Sequence, residues 1–316
     1  MLRKAAEYPT PSYRDPNDRR MVQIVRSAGR AVPRAVNILG IPFDGAVLGR
    51  KGAAGGPAAI RQSMGGFSNY NVELGVGLER ARVFDLGDLR LGGASDVARA
   101  HRQIESEVAG DLLPSSMLAI LGGDNSVSLP ALMASGKKLG RLGVIVIDSH
   151  FDLRGKIGGK PTSGSSYGLA VESVPSLDPK RVAEVGIHGF LNSRKYFEKA
   201  RRLGIAVRTA QDVRREGAEA VAKEAYRQAS TGADAVYLSV DMDSVDLAQV
   251  SGVSAPSAGG ISAGELLTMV YEIAKNHKVK VADIVELAPS LDPTGSSQRV
   301  AAAALMYLIA GFASRK

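Results

Sequence analysis

The amino-acid sequence predicts a single α/β domain, in which a parallel β-sheet of about eight strands lies between two layers of helices. Two observations support this fold class. Short apolar runs alternate with longer helical patterns along most of the chain. Two of the apolar runs also end in closely spaced acidic residues, within VIVIDSHFDLR at 144–154 and AVYLSVDMD at 235–243. Because open α/β sheets bind ligands at the carboxyl ends of their strands, both segments lie where a functional site is expected.

The strands are predicted from short runs of apolar and β-branched residues. The clearest run, residues 144–147, consists only of Val and Ile, which is typical of a strand that is buried on both faces. The whole set of predicted strands is 36–41, 82–86, 116–121, 144–147, 182–187, 205–207, 235–240 and 279–285. Residues 1–35 contain several prolines and are predicted to be a lead-in that packs on the main domain of residues 36–316.

The helices are predicted from apolar periodicity and from residues that favour helix ends. Pro57 suits the first turn of a helix, and Asp212 is a plausible N-cap. The predicted helices begin near residue 57 and then cover 95–109, 130–139, 192–202, 212–228, 263–276 and 297–313. Residues 155–168, rich in Gly and Ser, are predicted to form a loop that can close over a substrate.

The composition is that of an ordinary globular protein. The 316 residues are 45% hydrophobic and 23% charged, and the length is compatible with one α/β domain. Cys is absent, which excludes disulfides and thiolate chemistry and favours a reducing compartment. No apolar run is long enough to span a bilayer, and the polar N-terminal segment lacks the apolar centre of a signal peptide. We therefore expect a cytoplasmic protein without a membrane partner.

The net charge of +8 does not by itself indicate nucleic-acid binding. The basic residues are dispersed, Trp is absent and aromatic residues make up only 5%, so stacking platforms are scarce. We expect no nucleic-acid partner. Surface solvation is the simplest explanation of the charge, and an anionic small substrate would also suit a basic chain.

The two acidic segments together predict a metal centre. Alternation along an extended chain places Asp148, His150 and Asp152 on one side, and Asp241 and Asp243 repeat the pattern at a second strand end. A solvated loop with an isolated histidine would explain the first segment alone. Two such strand ends are better explained by divalent cations such as Mn²⁺, Mg²⁺ or Zn²⁺, because adjacent buried carboxylates repel one another. Two-metal hydrolases have this arrangement.

Five signatures in order make the chain similar to the arginase/agmatinase superfamily, the ureohydrolases. They are GIPFDG at 40–45 with GAAGGPAAIR at 52–61, GGDNS at 122–126, DSHFD at 148–152, SVDMDSVD at 239–246 and VELAP at 285–289. The resemblance covers residues 36–313. It implies a single α/β domain, assembly into trimers or hexamers, and hydrolysis of a guanidine or amidine by a hydroxide held between two Mn²⁺ ions.

The resemblance also implies a role for each matching residue. Asp148 and Asp241 would bridge the two metals, His150 and Asp243 would complete one metal site, and Asp152 the other. Asp152 would contact the attacking hydroxide as well. Glu286 would bind the cationic amidinium of the substrate, so that Asp152 and Glu286 are the expected catalytic residues.

Three departures from the family pattern set this chain apart. Asn125 stands where the family has a metal-ligating His, the loop at 162–168 lacks a His, and Asp246 is followed by Leu247. An amide oxygen is a weaker ligand than an imidazole for transition metals. The metal site next to Asn125 is therefore predicted to be weak or empty, and Asn125 itself is a doubtful ligand.

The variants DSHFDLR, TSG at 162–164 and GVSAP at 252–256 resemble formimidoylglutamases most. These enzymes hydrolyse N-formimidoyl-L-glutamate to glutamate and formamide, so the predicted partner is a small amidine or guanidine. The candidate substrate-binding residues are Arg154, Ser163, Ser165, His188 and Glu286. Two alternatives remain: an agmatinase or guanidinobutyrase type of enzyme that releases urea, and a catalytically silent family member that acts as a binding or regulatory subunit.

Some polar residues are expected to have structural rather than chemical roles. His188 could line the pocket or make a structural hydrogen bond, with equal weight. His101 and His277 are predicted at the surface. Asp124 and Ser126 are predicted to orient neighbouring ligands, and Asp44 and Asp246 to be loop carboxylates.

Overall fold

A ten-stranded sheet forms the centre of the computed structural model, which describes residues 3–4, 6–9, 15–91 and 96–315. Its eight longer strands all run parallel. They are β1 (Val36–Gly40), β2 (Val83–Leu89), β3 (Met117–Leu121), β4 (Leu142–Ile147), β5 (Leu177–Ile187), β6 (Ala206–Thr209), β7 (Ala235–Asp241) and β8 (Val279–Val285). The predicted parallel sheet is thus confirmed.

The spatial order of the longer strands is β2-β1-β3-β8-β7-β4-β5-β6. The two strands that end in acidic segments, β4 and β7, are therefore neighbours, and Ile147 pairs with Val240 at their carboxyl ends. At the β2 edge, Arg3–Lys4 pairs antiparallel and Arg26–Ser27 pairs parallel. No helix in the described ranges is long and apolar enough to cross a membrane.

Helices cover both faces of the sheet, and each face has its own apolar core. Helices on the first face bury Ile60, Val221 and Leu305 among others, whereas helices on the second face bury Ile104, Leu132 and Ala200. The first layer contains α1 (Gly56–Ser63), α6 (Ala210–Glu216), α7 (Ala218–Ser230), α8 (Ala263–Ala274) and α9 (Ser296–Ala313). The second contains α2 (Val97–Asp111), α3 (Ser128–Leu139), α4 (Ser166–Ser173) and α5 (Arg194–Leu203).

One predicted helix, 212–228, is wrong in two respects. The chain forms two helices there, separated by Gly217, whose φ of 89° is not helical. Asp212 is not the N-cap, because Thr209 caps α6 and accepts a hydrogen bond from the Asp212 backbone N. The Asp212 carboxylate in turn accepts a hydrogen bond from the Thr209 backbone N at 2.9 Å, which completes a capping box.

Smaller differences concern the ends of elements. Helix α4 begins at Ser166, inside the segment predicted as loop 155–168, and β5 begins five residues earlier than the predicted 182. Ser95, the predicted start of helix 95–109, lies outside the described residues.

The N-terminal segment contacts the sheet through a buried ion cluster. Arg61, 1% exposed, binds Asp85 through Nε at 2.7 Å and Asp88 through Nη1 at 2.5 Å. The Tyr8 hydroxyl donates to the same Asp85 at 2.5 Å. The division into a lead-in of residues 1–35 and a main domain of 36–316 stays a prediction.

Candidate metal centre

The ends of β4 and β7 place a histidine between two carboxylates. The ligand atoms of Asp148, His150 and Asp243 all lie within 4.8 Å of one another. His150 Nδ1 is 3.1 Å from Asp243 Oδ2 and 3.6 Å from Asp148 Oδ1. The Ser149 hydroxyl donates to Asp243 Oδ1 at 2.7 Å, which fixes the second oxygen of that carboxylate. The structure thus brings together Asp148 and His150 from one predicted acidic segment and Asp243 from the other.

The electrostatics of this cluster favour a cation. Burial, reinforced by Asp243, raises the pKa of Asp148 well above its usual value. The pKa of Asp241 is raised for the same two reasons. Burial would lower the pKa of His150, but Asp243 and Asp148 outweigh it and raise that pKa to about 12. A positive charge among these groups would therefore be strongly stabilised.

The donor set fits a divalent metal ion. Asp148 Oδ2 is buried and has no hydrogen-bond partner among the described residues. A buried unpaired carboxylate oxygen is costly, and metal coordination removes that cost. Carboxylates with one imidazole match the ligand preferences of Mn²⁺.

Asp152 follows the cluster on a strained backbone. Its φ is 46°, a left-handed conformation that is uncommon for a residue other than glycine. Burial raises its pKa to about 6. Its Oδ2 accepts a hydrogen bond from Asn125 Nδ2 at 2.6 Å, so one of its two oxygens is held in place.

The amide oxygen of Asn125 faces away from the carboxylates. It accepts hydrogen bonds from the Ser128 hydroxyl at 2.9 Å and the Tyr167 hydroxyl at 3.2 Å. The Asp152 carboxylate can only accept, so it requires the amide nitrogen on its side and fixes this amide orientation. The Asn125 backbone N also donates to Glu286 Oε1 at 2.6 Å. In this arrangement Asn125 joins Asp152 to Glu286.

Glu286 is held as a buried carboxylate directed at the same space. Its φ of 64° is again left-handed. Its Oε2 accepts a hydrogen bond from the Ser254 hydroxyl. Ser254 was not among the candidate site residues predicted from the sequence. Burial, with the nearby Asp124, raises the pKa of Glu286 well above its usual value. The GVSAP variant was a sequence signal for Ser254, but its contact with Glu286 depends on the fold.

A cavity of about 110 Å³ joins most of the predicted site residues. The Arg154 guanidinium lies at the rim of the cavity, 5.4 Å above the Tyr196 ring. Ser163 also lines the cavity, and its hydroxyl accepts a hydrogen bond from the Leu48 backbone N at 3.1 Å. The polar lining residues are His150, Asp152, Arg154, Ser163, Asp241, Asp243, Ser254 and Glu286. The cavity is small and lies at the carboxyl end of the sheet, as predicted.

Two substrate-binding candidates do not line this cavity. The Ser165 hydroxyl is fully buried and bonds the Thr162 backbone, with both the carbonyl and the N at 2.8 Å. His188 contacts the Gly186 carbonyl through Nδ1 and the Ser257 hydroxyl through Nε2, both at 2.8 Å. Both side chains therefore make structural hydrogen bonds.

One of the predicted surface histidines is buried. His101 is 8% exposed because it packs edge-on against Phe43, and its Nε2 lies 3.2 Å from the Ser126 hydroxyl. The sequence places His101 on a helix but does not show that its side chain faces the loop of Asn125 and Ser126. His277 is exposed, as predicted.

The loop carboxylates bind backbone groups. Asp124 accepts from the backbone N of Ala46 and of Ser126, so it shapes the loop that carries Asn125. Asp44 accepts from the Gly52 backbone N, and Asp246 from those of Ala248 and Gly259.

Comparison with known proteins gives consistent matches. Residues 34–311 match the model of the arginase family. The formimidoylglutamase of Halalkalibacterium halodurans is 32% identical over 277 residues, which cover 87% of this chain and 86% of that protein. The agmatinase of Bacillus subtilis (strain 168) is 31% identical, over 87% of this chain and 91% of that protein. A Trypanosoma cruzi formiminoglutamase solved with Mn²⁺ superposes with a TM-score of 0.86 at 31% identity, covering 95% of this chain and 100% of that one.

Proposed function

The chain belongs to the arginase family, and from that premise we propose that it is a Mn²⁺-dependent hydrolase of a carbon–nitrogen bond in a small amidine, of the formimidoylglutamase type. The observation that carries the proposal is the cluster of Asp148, His150 and Asp243. Two of its members, His150 and Asp243, line one cavity together with Asp241 and Asp152. The relatives named as formimidoylglutamases support the substrate class.

In this proposal the chain holds Mn²⁺ through Asp148, His150, Asp241 and Asp243, with Asp152 at a second position. Mn²⁺ bound there would supply positive charge that makes a water molecule easier to deprotonate. Because Asn125 directs its amide nitrogen at Asp152 and its oxygen elsewhere, we propose that the second position binds its ion more weakly than the first.

Two carboxylates of the cavity have separate roles in this proposal, proton transfer for Asp152 and substrate binding for Glu286. Asp152 Oδ2 is held by Asn125, which leaves Oδ1 to accept a proton from the attacking water and to return it to the leaving nitrogen. Glu286 would pair with the planar amidinium through its two oxygens, as carboxylates do with paired N–H donors. Ser254 and the Asn125 backbone N hold Glu286 in position for that contact.

The rim of the cavity suits the anionic part of such a substrate. Arg154 is exposed, its guanidinium lies over the Tyr196 ring, and its charge also acts on the Asp152 carboxylate. We propose that Arg154 binds a substrate carboxylate, with Ser163 beside it. Ser165 and His188, which do not line the cavity, would support the loops around it.

A substrate panel tests the proposal. Purified protein loaded with Mn²⁺ is given N-formimidoyl-L-glutamate, agmatine and 4-guanidinobutyrate, and formamide, ammonia and urea are measured separately. Formamide release from the first compound is the expected result, and urea release would instead support the agmatinase type. Asp148→Ala should abolish turnover and reduce bound Mn²⁺, whereas Asp178→Asn, an exposed carboxylate at the start of β5, should change neither. Absence of turnover on the whole panel would favour the silent family member.

Two further expectations remain proposals. We propose that the chain assembles into trimers or hexamers in the cytoplasm, as the family resemblance implies. Light scattering on the purified protein measures the assembly, and a monomeric mass would contradict it.

A further inference from the structure

We call the 110 Å³ cavity described above the catalytic cavity. A second cavity, of about 690 Å³, lies beside it and shares no lining residue with it. Its walls are the first turns of α2, one side of α3, the body of α4, and the short hairpin 155–161. This volume falls within the range of ordinary small-molecule pockets. We call it the α2–α4 cavity.

The charges in its wall are unbalanced toward the positive. Arg102, Lys156 and Lys160 line it and have no ion-pair partner in the ranges that the structure describes. Its two carboxylates are already engaged. Asp96 caps α2 by accepting from the Arg99 backbone N at 2.9 Å, and Glu172 lies 3.6 Å from Lys199 Nζ. The wall thus has three cations and two carboxylates, each carboxylate with another partner, and an anion would balance the remaining positive charge.

The rest of the wall is apolar, with one uncharged polar group at its base. Val97, Leu129, Met133 and Leu169 supply apolar surface. Burial lowers the pKa of His101 to about 4, so its imidazole is neutral at physiological pH. The cavity therefore has cations at its rim, and below them apolar side chains and one neutral imidazole.

We propose that the α2–α4 cavity binds a small anion with an apolar body, a phosphate or carboxylate attached to a hydrocarbon group, and that its occupancy alters the catalytic cavity. Arginine and lysine bind the anionic group, and the apolar side chains bind the hydrocarbon. The ligand takes no part in the hydrolysis, because none of the residues that line this cavity line the catalytic one.

Two physical connections link the cavities. Lys156, Gly159 and Lys160 belong to the hairpin whose continuation, Ser163 and Gly164, lines the catalytic cavity. His101 contacts the Ser126 hydroxyl, and Ser126 follows Asn125 in the chain. An anion that fixes the lysines would restrict the hairpin, and by thermodynamic reciprocity the substrate would then change the affinity for the anion.

Calorimetric titration of the Mn²⁺-loaded protein with phenyl phosphate tests the site directly, with inorganic phosphate and phenol as partial probes. Phenyl phosphate should bind saturably at one site and more tightly than either partial probe. The double variant Lys156→Gln/Lys160→Gln should weaken binding by about tenfold or more, since a hydrogen bond to a charged group is worth that factor in Kd. The matched control Arg26→Gln/Arg202→Gln removes two exposed charges elsewhere and should change Kd less than twofold.

The outcomes separate this site from the catalytic one. If Arg154→Gln abolishes phenyl phosphate binding while Lys156→Gln/Lys160→Gln leaves it intact, the anion binds in the catalytic cavity and the proposal is wrong. Absence of saturable binding also overturns it. Saturating phenyl phosphate should shift KM or kcat of the best substrate in the unaltered protein and not in the lysine variant. Binding without such a shift would refute the coupling between the cavities. The titration needs no turnover, so it stands even if the proposed substrate is wrong.

Discussion

Asn125 is predicted to control how tightly the second metal position binds its ion. Asn125→His replaces an amide with an imidazole nitrogen, a better donor for Mn²⁺, without changing the charge of the surrounding carboxylates. We expect Mn²⁺ at the weaker position to bind about tenfold or more tightly, and activity to depend less on added Mn²⁺. Calorimetric titration with Mn²⁺ measures both affinities, and Asn125→Ala, which offers no donor, is the control. Two equally tight positions in the unaltered protein would show that Asn125 has no influence on metal binding.

Ser254 favours the charged form of Glu286 and opposes the effect of burial. Burial raises the pKa of Glu286, and the Ser254 hydroxyl opposes that effect by donating to the carboxylate. Ser254→Ala should therefore raise this pKa further, and only the carboxylate form can pair with an amidinium. We expect the acidic limb of the kcat/KM profile to move to higher pH and KM to rise by roughly tenfold. Ser257→Ala, whose hydroxyl contacts His188 outside the cavity, should leave the profile in place.

His101 makes the stability of the fold sensitive to acid. Its pKa in the folded chain, about 4, lies below the usual 6.5. A neutral buried histidine favours the folded state above pH 6.5, and this contribution is lost as the pH falls through 4, because the unfolded chain takes up the proton first. The loss amounts to about 3 kcal/mol.

Comparing denaturant unfolding at pH 7 and pH 4 isolates this effect. His101→Gln should lose about 3 kcal/mol less than the unaltered protein over that interval, and His277→Gln, at an exposed position, is the matched control. Equal losses in all three proteins would contradict the assignment.

At the level of elements, the strands were predictable and one helix break was not. Runs of β-branched residues such as 144–147 predict buried strands because each residue there is covered on both faces. The segment 210–230 has continuous helical composition, and one glycine within it is a weak signal. The separation of α6 from α7 arises at Gly217, which ends α6 as a C-cap with a φ of 89°.

Gly217→Ala tests that explanation. A Cβ at Gly217 would meet no atom within 4 Å, so any cost must come from the backbone. We expect a loss of about 1 kcal/mol or more in the free energy of unfolding. Gly29→Ala, where the added Cβ also meets nothing and φ is not positive, should be close to neutral. Denaturant titration of both variants measures the difference, and equal stabilities would rule out strain at Gly217.

In the site, too, local sequence patterns were predictive, whereas contacts between separate loops were not. Spacing along one strand end predicted Asp148 and His150 on the same side, because alternation fixes side-chain direction locally. Asp243, on another strand end, was grouped with them through the family resemblance. The contacts of Ser254 with Glu286 and of His101 with Ser126 join residues 32 and 25 positions apart. Such pairs depend on how separate loops meet, and a single sequence contains no periodicity that reports it. The exclusion of Ser165 and His188 from the cavity has the same origin.

For the whole molecule, the buried carboxylates connect metal binding to stability. Removing Mn²⁺ by chelation should lower Tm, because a ligand present at 100 times its Kd stabilises the folded state by about 2.7 kcal/mol. Asp148→Asn removes one of the mutually repelling groups. Its metal-free form should therefore be more stable than the metal-free unaltered protein, although its response to Mn²⁺ is smaller. Calorimetric melting with and without chelator checks both, and a less stable metal-free Asp148→Asn would contradict the repulsion argument.

The unpaired oxygen of Asp148 thus has a consequence for how long the protein survives in a cell. A chain that unfolds more often when it lacks its ion is presented more often to proteases, since degradation follows the population of open forms. The amount of protein would then follow the supply of manganese without any change in gene expression. A cell short of manganese would degrade the metal-free protein first and retain the molecules that already hold metal.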